Sequence, residues 1–182
     1  DLRTEVQLPL VALVIILDRS QSMSTGNPSK LELAKEGALG VVDLAYQEDL
    51  LGMIVFSDGS STEWAFEPRK ATEQGKREMT QAVLNIEPEG GTVLRPAYEM
   101  ALAKLRDTEA SIKHIIILSD GKLNDAASVF GGDGSEVDFN VVAATALGLV
   151  ITTSTIAIGD EADFTLLESI ATSGGGRHYE AL

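Results

Sequence analysis

Five side chains with oxygen donors lie at three places where strands or tight loops are expected to end. Asp18, Ser20 and Ser22 alternate directly after an apolar run. Thr92 follows a pair of glycines, and Asp120 follows a second apolar run. Mg²⁺ prefers about six hard oxygen ligands, and two carboxylates with three hydroxyls suit it. In a locally extended loop residues two apart point the same way, so Asp18, Ser20 and Ser22 can converge. These residues predict a divalent-cation site.

The order and spacing of these motifs resemble the metal-ion-dependent adhesion site of von Willebrand factor type A domains. The resemblance covers roughly residues 8–180. It is strongest in the motifs Asp18-x-Ser20-x-Ser22, Gly90-Gly91-Thr92 and Ser119-Asp120-Gly121, and it extends to Thr155–Gly159 and Gly174–Gly176.

The resemblance implies a role for each of the five residues. Ser20, Ser22 and Thr92 would bind the cation through their hydroxyls. Asp18 and Asp120 would bind it directly or hold its waters. The expected cation is Mg²⁺, with Mn²⁺ or Ca²⁺ as alternatives, and one position stays open for an Asp or Glu of a protein partner. The implied function is a cation-dependent protein-binding module and not an enzyme.

Other interpretations of the same residues stay open at this point. A metal-dependent phosphohydrolase would need a cation for the phosphate, which Arg19 or Lys122 could supply. A scaffold domain could hold a metal for stability alone. Thr92 after two glycines is also typical of a tight loop, and Asp120-Gly121 of a turn. Motifs of dinucleotide-binding proteins, P-loop proteins and serine hydrolases are absent from the sequence.

Composition narrows the class of partner. The 182 residues carry 28 acidic and 14 basic side chains, a formal charge of −14, and no cysteine. This acidity argues against binding nucleic acid or an anionic membrane surface. The lack of cysteine excludes disulfides, thiolate zinc sites and cysteine nucleophiles. Half of the net charge lies in Ser119–Asp163, a segment that contains eight acidic residues and one lysine. We therefore expect a partner with one acidic residue on a neutral or basic surface.

Strands and helices alternate along the chain, which predicts an α/β fold of the Rossmann-like, doubly wound type. We expect a mainly parallel six-stranded sheet with helices on both faces. The apolar run Val11–Leu17 is typical of a strand buried on both faces, and His114–Leu118 predicts another strand. Gly52–Phe56 and Thr62–Phe66 predict a hairpin with one antiparallel edge strand, and Trp64 and Phe66 are expected on one face, in the core. Ligands bind at the carboxyl ends of such strands, where the five donors lie.

Helix boundaries also have local signals. Ser29 and Glu32 form a capping-box pattern, Pro96 suits a first helical turn, and Gly148 is expected to end a helix over Phe139–Leu147. The uncharged stretch Val141–Ile158 is interpreted as helix, turn and strand instead of a membrane span. The segment Gly131–Glu136 is interpreted as a surface loop. His114 and His178 are interpreted as structural residues, because they lie far apart in the sequence.

We expect a single domain over residues 1–182, because no linker or internal repeat divides the chain. The sequence starts with Asp1 and not with Met, so we expect a domain excised from a longer protein. The final helix typical of the resembled family is missing after the strand that begins at Arg177–Glu180. The segments Asp18–Met23 and Ser119–Gly121 resemble those of bacterial membrane-anchored proteins of this class. That likeness implies a bacterial source and a membrane anchor outside this fragment, with no direct membrane insertion by the fragment itself.

Overall fold

The structure, a computed structural model, describes residues 8–58, 60–124 and 137–182. It contains six strands, β1 Val11–Asp18, β2 Leu50–Phe56, β3 Glu63–Lys70, β4 Ile112–Ser119, β5 Ile151–Ile158 and β6 Gly175–Ala181. They form one sheet in the order β3-β2-β1-β4-β5-β6. All neighbours are parallel except β2 and β3, which are antiparallel. The predicted mainly parallel sheet with one antiparallel edge strand is confirmed.

Five helices cover the sheet, α1 Lys30–Leu44, α2 Glu73–Leu84, α3 Arg95–Arg106, α4 Phe139–Gly148 and α5 Phe164–Ser173. Buried residues of α1 and α2 join one apolar cluster, and those of α3 and α4, with Ile170 of α5, join the cluster on the opposite face. Right-handed crossovers that run in opposite directions from the central strands place helices on both faces. The doubly wound arrangement is therefore confirmed.

The central strand β1 is apolar without alternation because both of its faces are buried. Val14 and Ile16 pack in the cluster that includes α3 and α4, whereas Ile15 and Leu17 pack in the cluster that includes α1 and α2. All four side chains are at most 1% exposed. A strand between two helical layers is expected to have this composition.

Several local signals correspond to the observed boundaries. The Ser29 side chain accepts a hydrogen bond from the backbone N–H of Glu32, and the Glu32 carboxylate accepts one from that of Ser29, which is a complete capping box. Pro96 lies in the first turn of α3. The stretch Val141–Ile158 divides between α4 and β5. Within the described residues, no helix is long and apolar enough to cross a membrane.

The prediction that Trp64 and Phe66 share one face of the sheet was wrong. Trp64 lies opposite Ile54 and packs toward the α3 side, whereas Phe66 lies opposite Met53 and packs toward the α1 side. The register shifts between these two pairs, so Ala65 is an extra residue in β3. A bulge of this kind interrupts the alternation on which the prediction depended.

The end of α4 also differs from its prediction. Gly148 is the last helical residue, and the left-handed conformation falls on Val150, with φ of 61°. The backbone N–H groups of Leu149 and Val150 continue the turn by donating to carbonyls of α4. Pairing of Ile151 with Lys113 then fixes the direction of the next strand, so strand pairing, not glycine, determines this corner. The predicted loop at Gly131–Glu136 lies outside the described residues.

Gly176 in β6 gives a test of the sheet edge. A Cβ at Gly176 would overlap the carbonyl oxygen of Thr153 and lie 2.7 Å from the Ser154 hydroxyl. We expect Gly176→Ala to lower the free energy of unfolding by about 2 kcal/mol or more, as overpacking does. Gly40→Ala in α1 is the matched control, because a Cβ there meets nothing within 4 Å. It should raise stability by about 0.5–1 kcal/mol. Urea unfolding measures both, and equal stability of Gly176→Ala and wild type would contradict the packing described.

Candidate metal centre

The candidate site lies where the strand order reverses, between β1 and β4. These neighbouring parallel strands pair Leu17 with Leu118, so their carboxyl ends lie side by side. The chain leaves β1 toward α1 on one face and leaves β4 toward α4 on the other. Two connections that diverge in this way leave a crevice at the sheet edge. Asp18 is the last residue of β1, and Asp120 follows β4 directly.

Asp18 is a fully buried carboxylate with two internal donors. Its Oδ1 accepts the backbone N–H of Ser20 at 2.8 Å, and its Oδ2 accepts the Ser119 hydroxyl at 2.6 Å. Burial raises the pKa of Asp18 to about 6, and the charge of Asp120 acts in the same direction, although the hydrogen bonds from Ser119 and Ser20 oppose the shift. The ionised form is thus incompletely compensated within the protein, and a nearby cation would stabilise it.

Ser20 and Ser22 bring their hydroxyls together. The two Oγ atoms are 3.1 Å apart. In an octahedron with metal–oxygen distances near 2.1 Å, adjacent ligand oxygens are separated by about 3.0 Å. The two serine hydroxyls therefore lie together as predicted, although the loop that carries them is not extended throughout. Ser20 lies in a bend, with φ of −56° and ψ of 161°, whereas Ser22 belongs to a short 3₁₀ turn over Gln21–Ser24.

Thr92 is brought to the site by backbone hydrogen bonds between two loops. The N–H of Gln21 donates to the carbonyl of Gly90 at 3.1 Å, and the N–H of Glu89 donates to the carbonyl of Arg19 at 2.7 Å. Thr92 itself is only 5% exposed. These bonds place the glycine loop beside the residues that follow β1, as the prediction of a common site requires.

Asp120 is buried completely and has an internal cation as its neighbour. Its Oδ2 lies 3.1 Å from the Nζ of Lys30, and its Oδ1 accepts the N–H of Lys122 at 3.3 Å. The turn after Asp120 requires glycine, because Gly121 has φ of +73° and a Cβ there would lie 3.0 Å from the Cβ of Asp163. Sequence reasoning missed Lys30, whose single local signal is its position directly after the capping residue of α1.

Arg19 also has a role that the sequence did not reveal. Its guanidinium lies 3.2 Å from carboxylate oxygens of both Glu63 and Glu89, and it donates to the carbonyl of Ser61 at 3.1 Å. The side chain is 13% exposed. Arg19 therefore fastens the β2–β3 loop and the glycine loop to the segment that carries Asp18. Long-range ion pairs of this kind leave no periodic pattern in a sequence.

The donor set fits a hard divalent cation. In the described ranges, no group of three or more His, Cys, Asp or Glu residues is placed to hold a metal. The five candidates instead offer two carboxylates and three hydroxyls, a combination that suits Mg²⁺ better than a soft metal. The two histidines lie elsewhere, with His114 hydrogen-bonded to Thr152 and His178 to Thr155. Both contacts agree with the structural role expected for them.

Asp18 gives a pH-dependent test in the absence of metal. Its folded-state pKa of about 6 lies above the ordinary 3.8, so the folded state holds the proton more tightly. The buried carboxylate therefore costs stability above pH 6, and this cost falls as pH falls toward 4. In EDTA we expect Asp18→Asn to be more stable than wild type at pH 7.5, by about 2–3 kcal/mol. Its advantage should shrink by about 2 kcal/mol at pH 4.5. Denaturant unfolding at the two pH values measures this, and a pH-independent difference would contradict it.

Comparisons with known proteins agree with the fold described above. The family model of the von Willebrand factor type A domain matches residues 12–181. An uncharacterized protein of Synechocystis sp. is 28% identical over 175 residues, which cover 93% of this chain and 37% of the relative's length. The chain thus spans little more than a third of that protein.

Solved structures show the same fold at low identity. An aerotolerance-related membrane protein from Bacteroides fragilis superimposes with a TM-score of 0.77 at 20% identity, covering 94% of this chain and 92% of that one. A von Willebrand factor type A protein from Catenulispora acidiphila gives a TM-score of 0.75 at 22% identity, covering 96% and 39%. Because the family model matches nearly the whole length of this chain, the chain belongs to the von Willebrand factor type A domain family.

Proposed function

We propose that this domain binds a protein partner through a divalent cation held by Asp18, Ser20, Ser22, Thr92 and Asp120. Domains of this family are commonly protein-interaction modules. One observation carries the finer proposal. The buried, incompletely compensated carboxylate of Asp18 is followed by the hydroxyls of Ser20 and Ser22, which are spaced like adjacent ligands of an octahedral ion.

The balance of charge in the site supports a cation. Asp18 and Asp120 are both fully buried, and the ammonium of Lys30 is the counter-charge in contact with Asp120. Two buried carboxylates beside one ammonium leave negative charge in a place with little water, which is unfavourable without a further cation. Mg²⁺ is the expected ion, with Mn²⁺ or Ca²⁺ as alternatives, and it would supply a Lewis-acidic position for a partner carboxylate.

The residues also favour an accessible position on the ion. Neutral hydroxyls of Ser20, Ser22 and Thr92 would leave most of the ionic charge uncompensated, so an external carboxylate would gain a strong charge-assisted contact. Asp18 already accepts bonds from Ser20 and Ser119, which suits a carboxylate that holds waters of the ion. Ser22 is partly exposed, which supports a site that opens to a partner over one with a purely structural metal.

The contacts of the two nearby cations support a binding function over hydrolysis. A phosphohydrolase would need a cation directed at the phosphate, and Arg19 and Lys122 were the candidates. The guanidinium of Arg19 is paired with Glu63 and Glu89, and the Nζ of Lys122 lies 3.5 Å from Glu161. Paired in this way, both cations have their charge directed at protein carboxylates. We therefore propose a domain without enzymatic activity.

We further propose that the whole protein is anchored in a bacterial membrane, with this domain outside the bilayer. The likeness to an aerotolerance-related membrane protein of Bacteroides fragilis supports this proposal. The partner is expected to be a protein and not a nucleic acid, because the chain has a formal charge of −14. Its contact residue is expected to be an Asp or Glu on a neutral or basic surface.

Cation binding is tested with two serines of the same 3₁₀ turn. We expect Ser22→Ala to weaken Mg²⁺ binding at least about tenfold, because the substitution removes a proposed ligand. Ser24→Ala is the matched control, since the Ser24 hydroxyl donates to the carbonyl of Gln21 and is exposed. It should leave the affinity within about twofold of wild type. Isothermal titration with MgCl₂ measures both, and equal affinities of the two variants would contradict the ligand assignment.

Partner recognition is tested by affinity capture from a lysate of the source organism. Immobilised wild-type domain in Mg²⁺ should retain a protein that is lost in EDTA and with Asp18→Ala. The expected loss follows from removal of the ion that would bind the partner carboxylate. Replacing the acidic contact residue of the captured protein by its amide should also abolish binding. Capture of the same proteins under all three conditions would refute cation-dependent recognition.

A further inference from the structure

Lys30 is a buried cation inside the candidate site. The residue is 8% exposed, and its Nζ lies 3.1 Å from the Oδ2 of Asp120, a carboxylate that is fully buried. The two residues are 90 positions apart in the sequence. Lysine is almost never buried without a partner, so this contact defines where its ammonium lies.

The aliphatic part of the Lys30 side chain packs closely against a glycine. The stem passes over Gly159, at the end of β5, where a Cβ would lie 2.8 Å from the Cε of the lysine and 3.3 Å from its Cδ. Gly159 has φ of +87°, a conformation that also favours glycine. The capping box of Ser29 and Glu32 fixes the start of α1 immediately before Lys30. The ammonium is therefore held at Asp120 by packing as well as by charge.

We propose that Lys30 is a positioning residue that acts as a built-in counter-charge of the metal centre. It weakens retention of the cation and strengthens its contact with a partner carboxylate. This inference rests on the proposed function. Asp18, Asp120 and Lys30 together carry a formal charge of −1, so a site loaded with a divalent ion carries +1. Without the lysine, the loaded site would be neutral.

Two consequences follow from this charge and this contact. The ammonium repels the bound cation, and the positive loaded site attracts an incoming anion. The ammonium also occupies the Oδ2 of Asp120, which leaves Oδ1, the oxygen that accepts the N–H of Lys122, to face the cation or one of its waters. Asp120 is thereby restricted to one oxygen, and the ion stays more electrophilic than it would beside a free carboxylate.

The test compares Mn²⁺ binding by wild type, Lys30→Met and Lys35→Met. Methionine keeps an unbranched stem that can pass over Gly159 but removes the charge. Lys35 lies on the same helix, and its Nζ donates to the carbonyl of Leu84, so Lys35→Met makes the same charge change away from the site. Free Mn²⁺ is followed by its electron paramagnetic resonance signal. We expect Lys30→Met to bind Mn²⁺ at least about fivefold more tightly, and Lys35→Met to stay within about twofold of wild type.

The second arm measures the carboxylate with acetate as the probe. Acetate that displaces water from bound Mn²⁺ lowers the water-proton relaxation rate, and titration gives its affinity for the loaded protein. We expect acetate to bind loaded Lys30→Met at least about threefold more weakly than loaded wild type. A merely structural lysine would give no gain in Mn²⁺ affinity on its removal, so the opposite signs of the two effects identify the counter-charge.

The outcomes separate this inference from the proposed function. Unchanged or weaker Mn²⁺ binding by folded Lys30→Met, with wild type binding normally, overturns the counter-charge and leaves the cation site intact. Absence of Mn²⁺ binding by wild type and Lys35→Met overturns the proposed function and the inference with it. If Lys30→Met does not fold, Lys30→Gln takes its place with the same expected results, because glutamine retains a donor without the charge.

Discussion

The burial of two carboxylates at the ends of adjacent strands is the constraint on which the site depends. Asp18 and Asp120 lie beyond the paired residues Leu17 and Leu118, so the parallel register of β1 and β4 determines their proximity. Charged groups without water require compensation. Hydrogen bonds to Asp18 and the ammonium of Lys30 provide part of it, and the remainder favours a divalent ion. The hydroxyls of Ser20 and Ser22 lie together in the loop that follows Asp18.

Charge also connects the site to the surface around it. The formal charge of −14 first indicated a cationic partner in general, and the proposed function assigns that role to a divalent cation at the candidate site. Acidic side chains near the crevice are in part already engaged, since Glu63 and Glu89 bind Arg19 and Glu161 approaches Lys122. These pairs reduce the repulsion that an acidic partner residue would meet. An internal ammonium at Asp120 reduces it further, at the centre of the site.

The sequence predicted the fold well where the signal was a pattern of apolar residues or a helix-capping motif. Buried strands are apolar on both faces, and a capping box marks the start of α1. Prediction failed where one residue changed the local register. The extra residue Ala65 sends Trp64 and Phe66 to opposite faces, and Val150 takes the left-handed position that Gly148 was expected to fill. Both outcomes depend on strand pairing, which involves residues far apart in the chain.

For the candidate site, the sequence by itself indicated the proposed donors, because their spacing after buried strands is a local property. It predicted that Asp18, Ser20 and Ser22 converge, and the structure places the two hydroxyls 3.1 Å apart. Only the tertiary structure decided which charges accompany them. Lys30 meets its carboxylate across 90 positions, and Arg19 meets acids 44 and 70 positions away. Such contacts arise when the sheet brings distant loops to one edge, and no spacing within the chain encodes them.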